Sequence, residues 1–168
     1  EGSTSLKSTL PEYVVGKMLS LTEKNYNDQI LRETLWNSKA LSSDVTAALN
    51  PVFKSVHDME NVARLSYGLA FAKYTGSRGK AMANDADAEF IQEIRQIFDK
   101  NEIKYQSGGF GKVDEGGGGT VAKFLAYYGI RTIDAGPALL SMHSLFEISS
   151  KADLYETYRA YKVFFELD

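Results

Sequence analysis

The 168-residue sequence contains no cysteine. That excludes disulfides, a thiol nucleophile and thiolate metal sites, so any transition-metal centre must use histidine, aspartate or glutamate. Histidine is scarce as well: His57 and His143 are the only two, which excludes a His-rich centre. An excess of positive charge is also missing, since 19 Lys+Arg stand against 22 Asp+Glu for a net charge of −3. Binding a phosphate backbone needs a basic stripe, so no nucleic-acid partner is expected. No apolar run approaches the ~20 residues of a membrane span, so no membrane partner is expected either. The opening Glu1-Gly2-Ser3-Thr4-Ser5 has neither an initiator Met nor the pattern of a signal or transit peptide. The expectations are a cytoplasmic protein and a chain that is a piece of a longer one.

What is present is ordinary globular material. Hydrophobic residues make up 43% and charged residues 24%, enough apolar surface for a core in a chain of single-domain length. Thr9-Leu10-Pro11-Glu12 predicts a helix start, with Pro11 suited to the first turn. A second helix is predicted over Asp28 to Asn37, and a short strand over Ala40 to Val45. Residues 46 to 64 lack a period and read as a long loop. Ser66 to Tyr74 alternates as a strand, and Thr75 to Lys80 reads as a turn. Asn84 or Asp85 is expected to cap a helix with Phe90, Ile94, Ile97 and Phe98 on one face. A brief strand (Ile103 to Gln106), a helix (Thr120 to Tyr128), a strand (Ile130 to Asp134) and a last helix (Ser150 to Leu167) follow. That last helix carries Leu154, Tyr158, Tyr161 and Phe165 on one stripe. The alternation argues for an α/β fold, a three-layer α/β/α sandwich around a mostly parallel or mixed sheet.

Two side chains fall where such folds place ligand sites, at the carboxyl ends of strands. Asp44 ends one strand, and His143 lies in the loop after another. Carboxylate oxygen and imidazole nitrogen are both zinc ligands. Taken alone, spacing favours a turn or helix cap for Asp44 and a hydrogen-bonded loop histidine for His143. The glycine-rich run Ser107 to Thr120 precedes a helix and offers free amides to an anion or oxyanion. It matches neither the P-loop nor the dinucleotide fingerprint, and a flexible connector is an equal reading. Lys73, Arg78 and Lys80 flank the turn, as a solvated basic cluster or as a binder of a substrate carboxylate. Asp114 and Glu115 are adjacent carboxylates whose side chains point apart, and no acid/base role is assigned to them.

Together these segments are more specific than apart. Ala40-Leu41-Ser42-Ser43-Asp44-Val45-Thr46-Ala47-Ala48-Leu49-Asn50-Pro51 resembles the Ser-x-Asp segment of the aspartyl-aminopeptidase (aminopeptidase I-like) family. Lys73-Tyr74-Thr75-Gly76-Ser77-Arg78-Gly79-Lys80 looks like the segment that follows it in bacterial members. Val113 to Thr120 resembles their glycine-rich segment. Ile133-Asp134-Ala135-Gly136-Pro137-Ala138-Leu139-Leu140-Ser141-Met142-His143-Ser144 is similar to the family's most recognisable block. The four occur in the family's order across essentially the whole chain.

The resemblance implies the C-terminal portion of a two-zinc metalloaminopeptidase, with Co2+ or Mn2+ as alternative metals. It makes Asp44 a ligand of one zinc and His143 of the other. It makes Lys73, Gly118, Gly119, Thr120 and Met142 substrate-binding residues. The family's remaining ligands are a histidine, a bridging aspartate and a glutamate, and its general base is an adjacent glutamate. All four are expected upstream of Glu1, as is the inserted assembly domain, so the isolated chain is expected to be inactive. Implied partners are peptide substrates with acidic or neutral N-terminal residues, and further copies in a large homo-oligomer. The alternatives are a non-catalytic assembly domain and an anion- or nucleotide-binding module using the Gly116–Gly119 loop.

Overall fold

A computed structural model describes residues 2–78, 81–112 and 115–166 of the chain. The sequence expectations at Glu1, Gly79, Lys80, Val113, Asp114 and Leu167 fall outside them. The centre is a mixed four-stranded sheet of β1 (Lys39–Ser42), β7 (Arg131–Gly136), β3 (Leu69–Ala72) and β6 (Tyr105–Ser107), in the order β1-β7-β3-β6. β1 runs parallel to β7, β3 runs antiparallel to β7, and β6 runs parallel to β3. Side chains alternate between the two faces of a strand. One face carries Leu69, Phe71, Ile133 and Ala135, and the other carries Ala70, Ala72 and Asp134.

The first face packs on two helices. α3 (Ala88–Lys100) buries Phe90, Ile94 and Phe98, spaced one turn apart, and α5 (Lys151–Phe165) adds Ala160. Full burial of each large apolar side chain stabilises by about 2 kcal/mol. Phe71 stacks on Phe98 with ring centroids 5.4 Å apart, which locks β3 to α3. The second face meets a small sheet of β2 (Thr46–Ala47), β8 (Ala138–Leu140) and β9 (Ile148–Ser149) through Ala48, Ala63, Ala70 and Ala138. Small side chains let that second layer approach closely. Thr120, just before α4 (Ala122–Ala126), bonds to Asp134 on this side as well. The layered α/β architecture with a mixed sheet is therefore as expected.

α1 (Leu10–Thr22) carries Pro11 in its first turn, and α2 (Asp28–Trp36) is capped by the Asn27 side chain, which accepts from the Gln29 and Ile30 amides. The loop expected over 46–64 is shorter: Thr46–Ala47 are strand β2, Ala48 and Ala63 form a bridge, and residues 49–62 between them contain a 3-10 turn at Lys54–Val56.

Three further expectations are corrected. Residues 75–77 are not a turn: β4 (Tyr74–Ser77) pairs with β5 (Ala81–Asp85) as a hairpin. Asn84 and Asp85 belong to β5, and Asp87 caps α3 by accepting from the Phe90 amide at 2.8 Å. Asp87 is chosen because Arg131, at the start of β7, grips its carboxylate with two N–H groups. Thirdly, the apolar stripe of α5 faces outward: Leu154, Tyr158 and Phe165 are 60%, 63% and 82% exposed, and Tyr161 is half-buried. The buried stripe is Asp153, Thr157 and Ala160. Asp153 explains the choice, because its fully buried carboxylate accepts from the Gly68 amide at 2.7 Å and the Ser66 amide at 2.8 Å.

Candidate metal centre

β1 and β7 are paired with Ser42 opposite Asp134. Beyond an interruption, β2 and β8 are paired with Thr46 opposite Ala138, at an unchanged offset. The two segments therefore run side by side in one register, and Asp44 falls opposite Gly136 inside the gap. The ladder lapses there for identifiable reasons. Pro137 has no N–H to donate. Gly136 has no Cβ, and the Asp44 main chain occupies that space. A Cβ built on Gly136 would lie 2.1 Å from the Asp44 carbonyl oxygen and 2.9 Å from its carbon. Pairing resumes where the Thr46 amide donates to the Pro137 carbonyl at 3.3 Å. A glycine within a strand is a sign of such close approach.

Asp44 is half-buried, and its Oδ1 accepts from the Val45 amide at 2.9 Å. Its Oδ2 has no hydrogen-bond partner among the described residues. Beneath it lies Asp134, 2% exposed, whose Oδ2 accepts from the Thr120 hydroxyl at 2.8 Å. Burial pushes the Asp134 carboxyl up from its ordinary pKa, and the charge of Asp44 adds to that push. The Ser42 hydroxyl, across the ladder, is close enough to oppose the shift but misses hydrogen-bond geometry. Ser42 Oγ and Asp134 Oδ1 are thus both buried without a partner. Tyr161 reaches in from α5 and donates to the Ala135 carbonyl, and burial raises its phenol pKa. The sequence assigns no role to Asp134 and Gly136; the signals for them are an acid and a glycine inside an otherwise apolar strand.

His143 sits in the exposed tip between β8 and β9, beside half-buried Met142. Its imidazole has no hydrogen bond among the described residues, while its main-chain amide donates to Glu147 Oε1. The tip holds two non-glycine residues in the left-handed region, Ser141 at φ 61° and His143 at φ 68°. Such residues cost of order 1 kcal/mol each and gather where a side chain must be aimed.

Of the other sequence-predicted residues, Met142 and Thr120 stay beside His143 and Asp134, and Lys73, Gly118 and Gly119 are placed elsewhere. Lys73 follows the last residue of β3, and because β3 runs antiparallel to β7 it lies toward the opposite end of the sheet from Asp44. Its ammonium pairs with Asp85 at the surface. Lys73, Gly116 and Gly117 line a cavity of about 600 Å3 whose lining does not include Asp44 or His143. The glycine run is stitched to β4: the Gly76 amide donates to the Gly118 carbonyl at 2.9 Å and the Arg78 amide to the Gly116 carbonyl at 2.8 Å. Gly119 abuts Met82, where a Cβ would come within 2.0 Å of the Met82 Cβ. Thr120 is buried, its hydroxyl engaged by Asp134.

A free carboxylate oxygen and a free imidazole are the donor chemistry that zinc takes. They fit as part of a centre. Among the described residues no group of three or more His, Asp or Glu side chains is arranged to hold a metal ion. Also among the described residues, no helix is long and apolar enough to cross a membrane.

The sequence profile described as aminopeptidase I zinc metalloprotease (M18) matches residues 1–165. The chain is 57% identical over 166 residues to a probable M18 family aminopeptidase 1 of Borrelia garinii subsp. bavariensis, covering 98% of this chain and 36% of that protein. It is similar to the crystal structure of an M18 family aminopeptidase from Thermotoga maritima, with 47% identity and a TM-score of 0.92 over 97% of this chain and 36% of that one. It is also similar to the S. cerevisiae mApe1 dodecamer structure, with 26% identity and a TM-score of 0.78 over 98% of this chain and 34% of that one. The chain spans about a third of the length of the curated relatives it matches. These comparisons favour neither the assembly-domain nor the anion-binding alternative.

Proposed function

Because the chain belongs to the aminopeptidase I zinc metalloprotease (M18) family, we propose that it supplies Asp44 and His143 to the zinc centre of an aminopeptidase. The enzyme would remove N-terminal residues, acidic or neutral, from peptides. The observation that carries this reading is the matched register of β1–β2 with β7–β8. It sets Asp44, with one carboxylate oxygen free, at the end of the sheet from which the His143 segment departs.

Zinc, when bound, lowers the pKa of a water ligand to about 7 and polarises a carbonyl oxygen. Asp44 supplies negative charge that balances a cation. His143 supplies a neutral nitrogen, which leaves its metal more electrophilic. Each is assigned to a different one of two ions. Such a pair needs more donors than these, and a general base to move a proton to the leaving amine. The relatives carry the larger part of their length outside the matched region, and in this reading those groups belong there. Met142 and the Gly118-Gly119-Thr120 stretch are assigned to the pocket wall. Lys73, which lines a cavity apart from Asp44 and His143, is assigned to an acidic substrate side chain that would have to reach that cavity and displace Asp85. A large homo-oligomer is assigned by likeness to the yeast dodecamer.

The test uses the complete natural polypeptide and peptides beginning with Asp, Glu or Leu. Stepwise release of N-terminal residues is expected, abolished by a chelator and restored by added zinc, and the relative rates on the three peptides give the preference for acidic or neutral starts. Release that ignores the chelator sinks the metallopeptidase reading. A Lys73→Met enzyme that keeps its acidic preference sinks the role given to Lys73 alone.

A further inference from the structure

We infer that Gly136 is a positioning residue for the metal centre: the absence of a side chain there sets where the Asp44 carboxylate stands. The inference rests on Asp44 being a metal ligand and names what holds it in place.

Asp44 lies between two stretches of main chain pinned to the same partner strand, Lys39–Ser42 on one side and Thr46–Ala47 on the other. The three residues between those anchors have no ladder pairs of their own. Besides the bond from the Val45 amide to Asp44 Oδ1, their path is bounded by Gly136, whose missing Cβ leaves the space the Asp44 carbonyl fills. On its other side Gly136 is held by pairing with Ala70 of β3, so it cannot retreat. An added methyl would sit 2.1 Å from the Asp44 carbonyl oxygen and 3.5 Å from the Val45 nitrogen. Both neighbours are main chain rather than the far end of a flexible side chain, so the residue 43–45 segment must move. Metal ligands tolerate displacements of only a few tenths of an ångström. The backbone of Gly136 is not in the left-handed region. Its glycine therefore serves close approach and not conformational freedom.

The experiment is a double-mutant cycle on the complete natural polypeptide, reading the zinc dissociation constant and the visible spectrum of the Co2+-loaded protein. Asp44→Ala should weaken binding of the metal it holds by 100-fold or more. Gly136→Ala should weaken it at least tenfold and change the Co2+ spectrum, with the circular dichroism spectrum retained. In an Asp44→Ala background, Gly136→Ala should cause no further loss, because the glycine acts through that carboxylate. Ile133→Val, in the core of the same strand, should leave metal affinity unchanged. If Gly136→Ala does not fold, adding Val45→Gly gives the main chain room to recoil, and the folded double variant should still bind metal weakly. Wild-type affinity in folded Gly136→Ala, or losses that add in the Asp44→Ala background, overturn the inference. Metal affinity unaffected by Asp44→Ala overturns instead the assignment of Asp44.

Discussion

Two aspartates at element ends have opposite surroundings. Asp153, in the first turn of α5, is fully buried, and each of its oxygens accepts a main-chain N–H from the loop before β3. Asp44, just past β1, is half-buried and spends one oxygen on the adjacent Val45 amide. The first is used up in joining a helix to a loop. The second leaves one oxygen without a hydrogen-bond partner among the described residues. Buried polar groups in native proteins are nearly always paired, so the buried, unpartnered Asp134 Oδ1 and Ser42 Oγ beneath Asp44 mark this strand break as unusual. Asp87 stands between the two: it caps α3 and pairs with Arg131, both near the surface.

That ranking can be tested by stability. Asp153→Ala strands two N–H groups away from water and should cost about 3 kcal/mol or more in urea unfolding of a soluble preparation. A loss below ~1 kcal/mol would remove the contrast. Asp87→Asn keeps the cap and loses the ion pair, for about 0.5–1 kcal/mol at neutral pH after allowing for solvent screening. Its pH dependence has a fixed sign. The Arg131 guanidinium holds the Asp87 carboxyl below its ordinary pKa. The stability it contributes is therefore fully present above the unfolded carboxylate pKa of about 3.9 and is lost as pH falls through the folded value. The gap between wild type and Asp87→Asn should be constant from pH 7 to 5 and close below about 4; a gap that widens in acid contradicts the pairing. Asp44→Ala should change stability by less than about 1 kcal/mol in the absence of metal. The smallest effect belongs to the outer face of α5, where Tyr158→Ser should fall within about 0.5 kcal/mol in this chain. A large loss there would mean that the exposed stripe is covered.

The elements with strong periodicity were legible. Phe90, Ile94 and Phe98 mark α3 because one apolar face per turn admits one burial. α5 misled because its outward face is more apolar than its inward one. Asp153 and Thr157 turn inward, where backbone amides and the Asp153 carbonyl satisfy them, a pairing set by tertiary contact and not by period. The β4–β5 hairpin was hidden because Tyr-Thr-Gly-Ser and Ala-Met-Ala-Asn-Asp lack alternation and carry a single β-branched residue, Thr75. Asp44 and His143 were found as strand-end residues of the right chemistry, and the likeness of their flanking blocks to a peptidase family made them specific. Their linkage through one continuous register was not legible, because β2 and β8 are too short to show in a pattern.

The most direct test is metal content, measured on the complete natural polypeptide as wild type, Asp44→Ala and His143→Ala, with circular dichroism to establish the fold. The account predicts two equivalents of zinc in the wild type. Each variant should lose zinc and peptide cleavage together while its spectrum is unchanged. Folded variants that keep full zinc and normal cleavage would contradict it.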